Sequence, residues 1–287
     1  MANRHGRFTA SLSALLAVAL LAALALSAGT AQAASTLPTL NVSVSKTTIA
    51  VSGAEQTGAV NVVSTADKTA KEPVTVLFLL KPGVTVEEFT TALAGSNKIA
   101  NDPNYANKYG SIVFDTEDHP GGTVEAQTEL QLGTYVVMNA EAKKSSDWPK
   151  ASFTTVAAAT PVALPAPEAT VSSIEFNFRG PKTLKDGELV RFENAGFLVH
   201  MDIAFPVKSK KAAGKVMKDL LTGNEKGTGK LIAGAPFAFF GPMSSGGFQE
   251  ETITAKPGYY VEVCFMMTQD GRPHPLLGME HMIRIVK

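Results

Sequence analysis

Residues 258–286, GYYVEVCFMMTQDGRPHPLLGMEHMIRIV, decide how this chain is read. The segment opens on YYVEVCF (259–265), rich in Tyr and Val with alternating polarity, and closes on HMIRIV (281–286), a second strand pattern. Between them lies a turn, Gln269-Asp270-Gly271-Arg272-Pro273. Two short alternating runs around turn residues are the mark of antiparallel β structure.

The same texture extends upstream. TLNVSVSKTTIAV (39–51) reads as one alternating strand, followed by AVNVVS (59–64), VTVLFLL (74–80), SIVFD (111–115), VEAQTELQL (124–132), TYVVMNA (134–140) and ASFTTVA (151–157). Later come SIEFNF (173–178), ELVRFEN (188–194), HMDIAFPV (200–207) and FQEETITA (248–255). Many short strands at this spacing predict an all-β chain built as β-sandwiches. AAATPVALPAPEAT (157–170) has Pro161, Pro165 and Pro167 and no apolar period, so a semi-stiff linker is placed at 159–170. It separates 36–158 from 171–287.

Each half carries one helical pattern ending in Gly: VTVEEFTTALAG (84–95) and KSKKAAGKVMKDLLTG (208–223). The second sets Ala212, Val216 and Leu220 on one face and exposes a row of lysines as a solvated face. Gly133-Thr-Tyr follows Leu80 by 53 residues, and Gly258-Tyr-Tyr follows Phe205 by the same 53. Strand, helix and Gly-x-Tyr strand in matching order suggest a duplication. Trp148, beside Pro149, reads as packing near a strand start.

The amino terminus sets the compartment. Arg4, His5 and Arg7 precede a 17-residue apolar run at 12–28 and the small-x-small site Ala31-Gln32-Ala33, the form of a secretory signal peptide over 1–33. Seventeen residues barely span a bilayer, and no later run reaches that length, so no transmembrane segment is expected after cleavage. The whole chain holds 26 basic and 26 acidic residues, which excludes a generic nucleic-acid binder. Residues 34–170 hold 9 basic and 14 acidic groups, and 171–287 hold 15 and 12. A single cysteine, Cys264, rules out an internal disulfide and lies far from the cleavage site, so it is no lipid anchor. A free thiol in an oxidising compartment is a liability unless buried or bound.

Nine residues separate Cys264 from His274, and four separate His274 from Met279; His200 opens a distant strand. Two imidazoles, a thiolate and a weak thioether are the donor types of a type 1 copper site, where soft sulfur favours Cu(I) and imidazole suits Cu(II). His200, Cys264, His274 and Met279 are therefore the candidate metal ligands, for one copper per chain. Seven of the nine methionines fall after residue 200, as core filler or as a soft-ligand region.

Here the second half resembles a cupredoxin. NAGFLVH (194–200) is similar to the asparagine-to-histidine segment of plastocyanins, and GYYVEVC with its downstream His and Gly278-Met279 resembles the cupredoxin Cys–His–Met loop. The long loop is nearer to that of copper nitrite reductases, and nearest to exported bacterial cupredoxin-like proteins with Pro-His-x4-Met. The resemblance covers 171–287 and, more weakly, 36–158. It implies two Greek-key cupredoxin-like β-sandwich domains, each with a short inserted helix. Glu262 departs from the pattern, because it shares strand parity with Tyr260 and Cys264; it needs a partner or a shifted register. The first half lacks ligands: Asn139 falls at the place of Cys264, and KEPVT at that of the His200 segment.

Three functions follow for an extracytoplasmic protein of this kind. One is electron transfer at a type 1 copper with a redox partner. Another is copper storage or delivery through Cys, His and Met, with a copper-donor protein. The third is a metal-free cell-surface interaction module. Too few histidines remain for a second copper centre, and no hydrolase or nucleotide motif occurs, so no enzyme activity is expected.

Overall fold

A computed structural model describes residues 36–117, 122–235 and 237–287. The signal segment 1–33 and His119 lie outside the described residues.

The first half folds as two four-stranded sheets. The strands are β1 (Thr39–Val44), β2 (Ile49–Gly53), β3 (Gly58–Ala66), β4 (Thr75–Leu80), β5 (Gly110–Asp115), β6 (Thr123–Leu130), β7 (Thr134–Asn139) and β8 (Lys150–Thr154). One sheet runs β2-β1-β3-β6 and the other β5-β4-β7-β8. Alternation in the strands points Leu40, Val42, Val60, Val62, Leu77 and Tyr135 into the space between.

The second half repeats this plan. Its strands are β9 (Ala169–Ile174), β10 (Asn177–Arg179), β11 (Thr183–Lys185), β12 (Leu189–Asn194), β13 (His200–Val207), β14 (Phe237–Met243), β15 (Phe248–Thr252), β16 (Gly258–Val263) and β17 (Glu280–Val286). The sheets run β10-β9-β12-β15 and β11-β17-β16-β13-β14. Strand for strand, order and pairing sense match the first half: β1 with β3 and β9 with β12 are parallel, and the other corresponding pairs are antiparallel. Phe192 stacks on Phe239 at 4.1 Å in this core, which also holds Met201, Met243, Cys264 and Met279.

The halves are joined by more than the chain between them. β15 pairs with β6 at Glu250 and Gln127, making one eight-stranded sheet. On the other side, Ser244 N–H donates to Ile112 O at 2.9 Å and Ile112 N–H donates to Ser244 Oγ at 3.0 Å, linking the end of β14 to the middle of β5. Both junctions join strands that hold the same place in their own sandwich.

Several expectations are corrected. TLNVSVSKTTIAV is not one strand but the β1–β2 hairpin, because the Ser45 hydroxyl accepts from Thr48 N–H at 2.9 Å and closes a turn. SIEFNF is likewise split into β9 and β10, with Glu175 and Phe176 at the turn. β14 was missed, and Ala169 and Thr170 of the linker belong to β9. The helices are shorter than their patterns, Val86–Gly95 and Lys210–Leu221. The latter buries Ala213, Val216 and Asp219, with Ala212 and Leu220 half-buried, while its lysines stay exposed. Trp148 is half-buried and its Nε1 donates to Ala142 O at 2.6 Å, just ahead of β8.

Candidate metal centre

Four segments bring the donors to one end of the second sandwich. His200 is the first residue of β13, Cys264 follows the last residue of β16, and Met279 precedes β17. His274 begins a short 3-10 turn, His274–Leu277, that ends at Gly278 with φ 93°. Only a residue free to take positive φ ends the turn this way without strain. Backbone bonds then close the loop: His274 N–H donates to Met266 O at 2.8 Å, Met279 N–H to His274 O at 3.1 Å, and Cys264 N–H to Met279 O at 3.3 Å. His274 follows directly on the polar turn 269–273, yet it is fully buried, as are His200, Cys264 and Met279.

The Cys264 sulfur lies 3.2 Å from His274 Nδ1 and 3.6 Å from His200 Nδ1. These donor atoms all fall within 4.8 Å of one another, and among the described residues no other group of three or more His, Cys, Asp or Glu side chains does so. The His200 and His274 rings are 5.0 Å apart. Met279 is brought beside them by its backbone bonds to both Cys264 and His274.

Glu175 fixes His200 from behind. Its Oε1 lies 3.2 Å from His200 Nε2 and accepts N–H bonds from Leu198 at 2.7 Å and from Phe197. With Nε2–H donated to the carboxylate, Nδ1 keeps its lone pair for a metal. Partial burial pushes the Glu175 carboxyl up, but the backbone donors and His200 outweigh it and hold it below the ordinary value. Asn194 holds the same loop: its amide donates to Leu198 O and to Met243 O, both at 2.7 Å.

Burial dominates the titration of the donors. It pushes the Cys264 thiol up to about 12, against a bond from Met201 N–H. It pulls His274 down to about 4, with His200 adding to the effect, and it lowers His200 against the pull of Glu175. The histidines are thus neutral at pH 7 and ready to donate, while the thiol loses its proton only to a cation held beside it. His274 Nε2 has no hydrogen-bond partner in this setting. A soft thiolate between two neutral imidazoles, with a thioether alongside, fits one copper ion.

No protein-family model and no curated protein matches the sequence. Among solved structures, it is similar to an auracyanin from Roseiflexus castenholzii at 21% identity, over 41% of this chain and 95% of that one, with a TM-score of 0.26. It is similar to a copper-containing nitrite reductase from Thermus scotoductus at 12% identity, over 87% and 67%, with a TM-score of 0.26. A copper nitrite reductase from Nitrosomonas europaea matches at 12% identity over 87% and 93%, with a TM-score of 0.24.

Sequence reasoning missed Glu175, because SIEFNF alternates like a continuous strand and hides the turn that aims the carboxylate at His200. It did flag Glu262. The register holds, with Glu262 opposite Ala204 and His281, and the partner is His281, whose Nδ1 lies 2.8 Å from Glu262 Oε2. Met201, Met243 and Met279 are buried in the core, Met266 is half-buried, and Met267 is exposed. The first half has other chemistry at the matching places. The interval from Leu80 to Phe205 carries Thr75 to His200 and Asn139 to Cys264. Thr75 is buried with its hydroxyl 2.7 Å from Ser64 Oγ, and buried Asn139 accepts from Val74 N–H at 3.0 Å and donates to Ser45 O at 3.2 Å.

Proposed function

We propose that this chain is an exported cupredoxin-like electron carrier that would hold one copper through His200, Cys264 and His274, with Met279 as a weak thioether donor. In this reading residues 171–287 form the copper domain, and 36–158 form a metal-free domain derived from it by duplication. The single observation that carries the proposal is the contact of the Cys264 sulfur with both Nδ1 atoms in a fully buried setting.

Copper bound there supplies a one-electron couple between Cu(II) and Cu(I). The chain's own residues hold the donors in place. Glu175 holds the His200 ring, the 3-10 turn holds His274, and burial of all four side chains keeps water from the donors. A closed donor set with no solvent-facing position suits electron transfer rather than substrate chemistry. His281 is engaged by Glu262. The signal-like segment at 1–33 supports export, and among the described residues no helix is long and apolar enough to cross a membrane.

Storage or delivery has less support, since Met201, Met243 and Met279 are buried in the core and Met266 packs against it. Protein-film voltammetry of the copper-loaded chain from residue 34 separates these functions. A carrier gives a reversible one-electron wave that persists over repeated cycles with copper retained. Loss of copper on reduction contradicts the proposal.

A further inference from the structure

The half without ligands reaches into the copper end of the other half. Its contact is a short 3-10 helix, Pro103–Lys108, capped by Asp102, whose carboxylate accepts from Asn104 N–H at 3.0 Å. A 3-10 helix turns once in three residues, so side chains at i and i+3 share one face. Asn104 and Asn107 have this spacing, and both face the second half.

Asn104 spans the two ligand-bearing segments. Its Oδ1 accepts from Val199 N–H at 2.8 Å, the residue before His200. Its Nδ2 donates to Met267 O at 3.4 Å, inside the loop from Cys264 to His274. That loop is pinched where Met267 bridges Pro273, next to His274, and His274 N–H bonds back to Met266 O. Asn107 secures the flank: its Oδ1 accepts from the Ser244 hydroxyl at 3.0 Å, and Ser244 follows Met243, the residue paired with His200 across β13 and β14. One carboxamide thus ties the start of the His200 strand to the loop that carries His274.

We infer that Asn104 is a positioning residue for the copper centre, and that the ligand-free half serves to brace the geometry of its neighbour's site. The inference rests on the copper reading for its effect on the metal, but the brace itself is a property of the metal-free chain. An amide suits the task because it offers one acceptor and two donors on a single side chain. The Val199 N–H is at a fully buried residue, so it needs that acceptor. Removing the bridge frees the loop against the strand. The distances from sulfur to both imidazoles then depend on the loop alone.

The experiment uses the whole chain with Asn104→Ala, Asn104→Asp and a control, Asn61→Ala, which removes a bond to Glu125 elsewhere in the same half. Asn104→Asp keeps the acceptor for Val199 and loses the donor to Met267. Three quantities are read: the rate of Cys264 modification by a thiol reagent in metal-free protein, the rate of copper transfer to a chelator, and the thiolate-to-copper absorption band. Groups that orient metal ligands change metal affinity by about 10–100-fold. Asn104→Ala is expected to speed thiol modification and copper loss by about tenfold and to shift the band, with Asn104→Asp between it and the wild type and Asn61→Ala unchanged. Wild-type thiol reactivity, release and band in Asn104→Ala overturn the inference, even if its melting temperature falls. If the wild type takes no copper, the copper reading fails on its own, and the thiol rate alone decides the brace: faster in Asn104→Ala sustains it, unchanged overturns it.

Discussion

Glu175→Ala is the sharpest perturbation of the proposed centre that leaves every ligand in place. The carboxylate accepts from three donors, Phe197 N–H, Leu198 N–H and His200 Nε2. It also fills its corner closely, since a Cβ on Gly196 would fall 2.5 Å from Glu175 Oε1. The side chain is 19% exposed, so water can replace part of what is lost. At about 1 kcal/mol for each bond, Glu175→Ala costs roughly 2–4 kcal/mol of stability. In a chain of this size that is a fall in Tm of about 5–10 °C. The effect on metal is separate. Without the carboxylate, His200 loses the group that raises its pKa and stays neutral to lower pH, so proton competition does not weaken binding. What is lost is ring orientation, worth about 10–100-fold in affinity. Glu175→Gln keeps one acceptor and falls between. Calorimetry of the metal-free proteins and copper transfer to a chelator measure the two effects independently. If Glu175→Ala melts and releases copper like the wild type, Glu175 does not orient His200.

Glu262 has a pH signature. Burial pushes its carboxyl up to about 8 from an ordinary 4.5, so the folded chain keeps a proton there that the unfolded chain releases. Its contribution is therefore fully present below the ordinary value and is lost as pH rises through the folded one, by about 1.4 kcal/mol per pH unit between roughly 5 and 8. Glu262→Gln should gain on the wild type across that window in urea unfolding of the metal-free chain; parallel profiles would refute the assignment. Asn139→Ala cuts the ties to Val74, Glu141 and Ser45 and should cost about 3 kcal/mol by urea titration, with copper release unchanged. Altered release would mean that the first half's pseudo-site acts on copper. Gly278→Ala meets no atom within 4 Å, so only its positive φ matters; a loss of about 1–2 kcal/mol with faster copper release is expected, and none if the turn is not strained.

The places of the candidate donors in the fold were legible because strand ends are marked locally. HMDIAFPV reads as a strand from His200 onward and is β13 residue for residue, and the Cys264–His274–Met279 spacing lies within one hairpin connection. Glu175 was not legible. Its carboxylate works from a turn that alternation conceals, on a residue 25 positions away. The burial of His274 was also hidden, since GRPHP is a polar turn by composition, and only the fold of the loop onto the core places that ring inside. Asn104 sits in DPNYANK, which reads as a loop, and its partners lie in the other half. The pairing of β15 with β6 left no local trace either, because edge strands carry no mark of which edge they meet.

The most direct test is a visible absorption titration of the chain from residue 34 with Cu(II). Copper at a buried thiolate between two imidazoles predicts an intense thiolate-to-copper band that saturates at one equivalent and is abolished by Cys264→Ser. A colourless protein, or a band that survives Cys264→Ser, would contradict it.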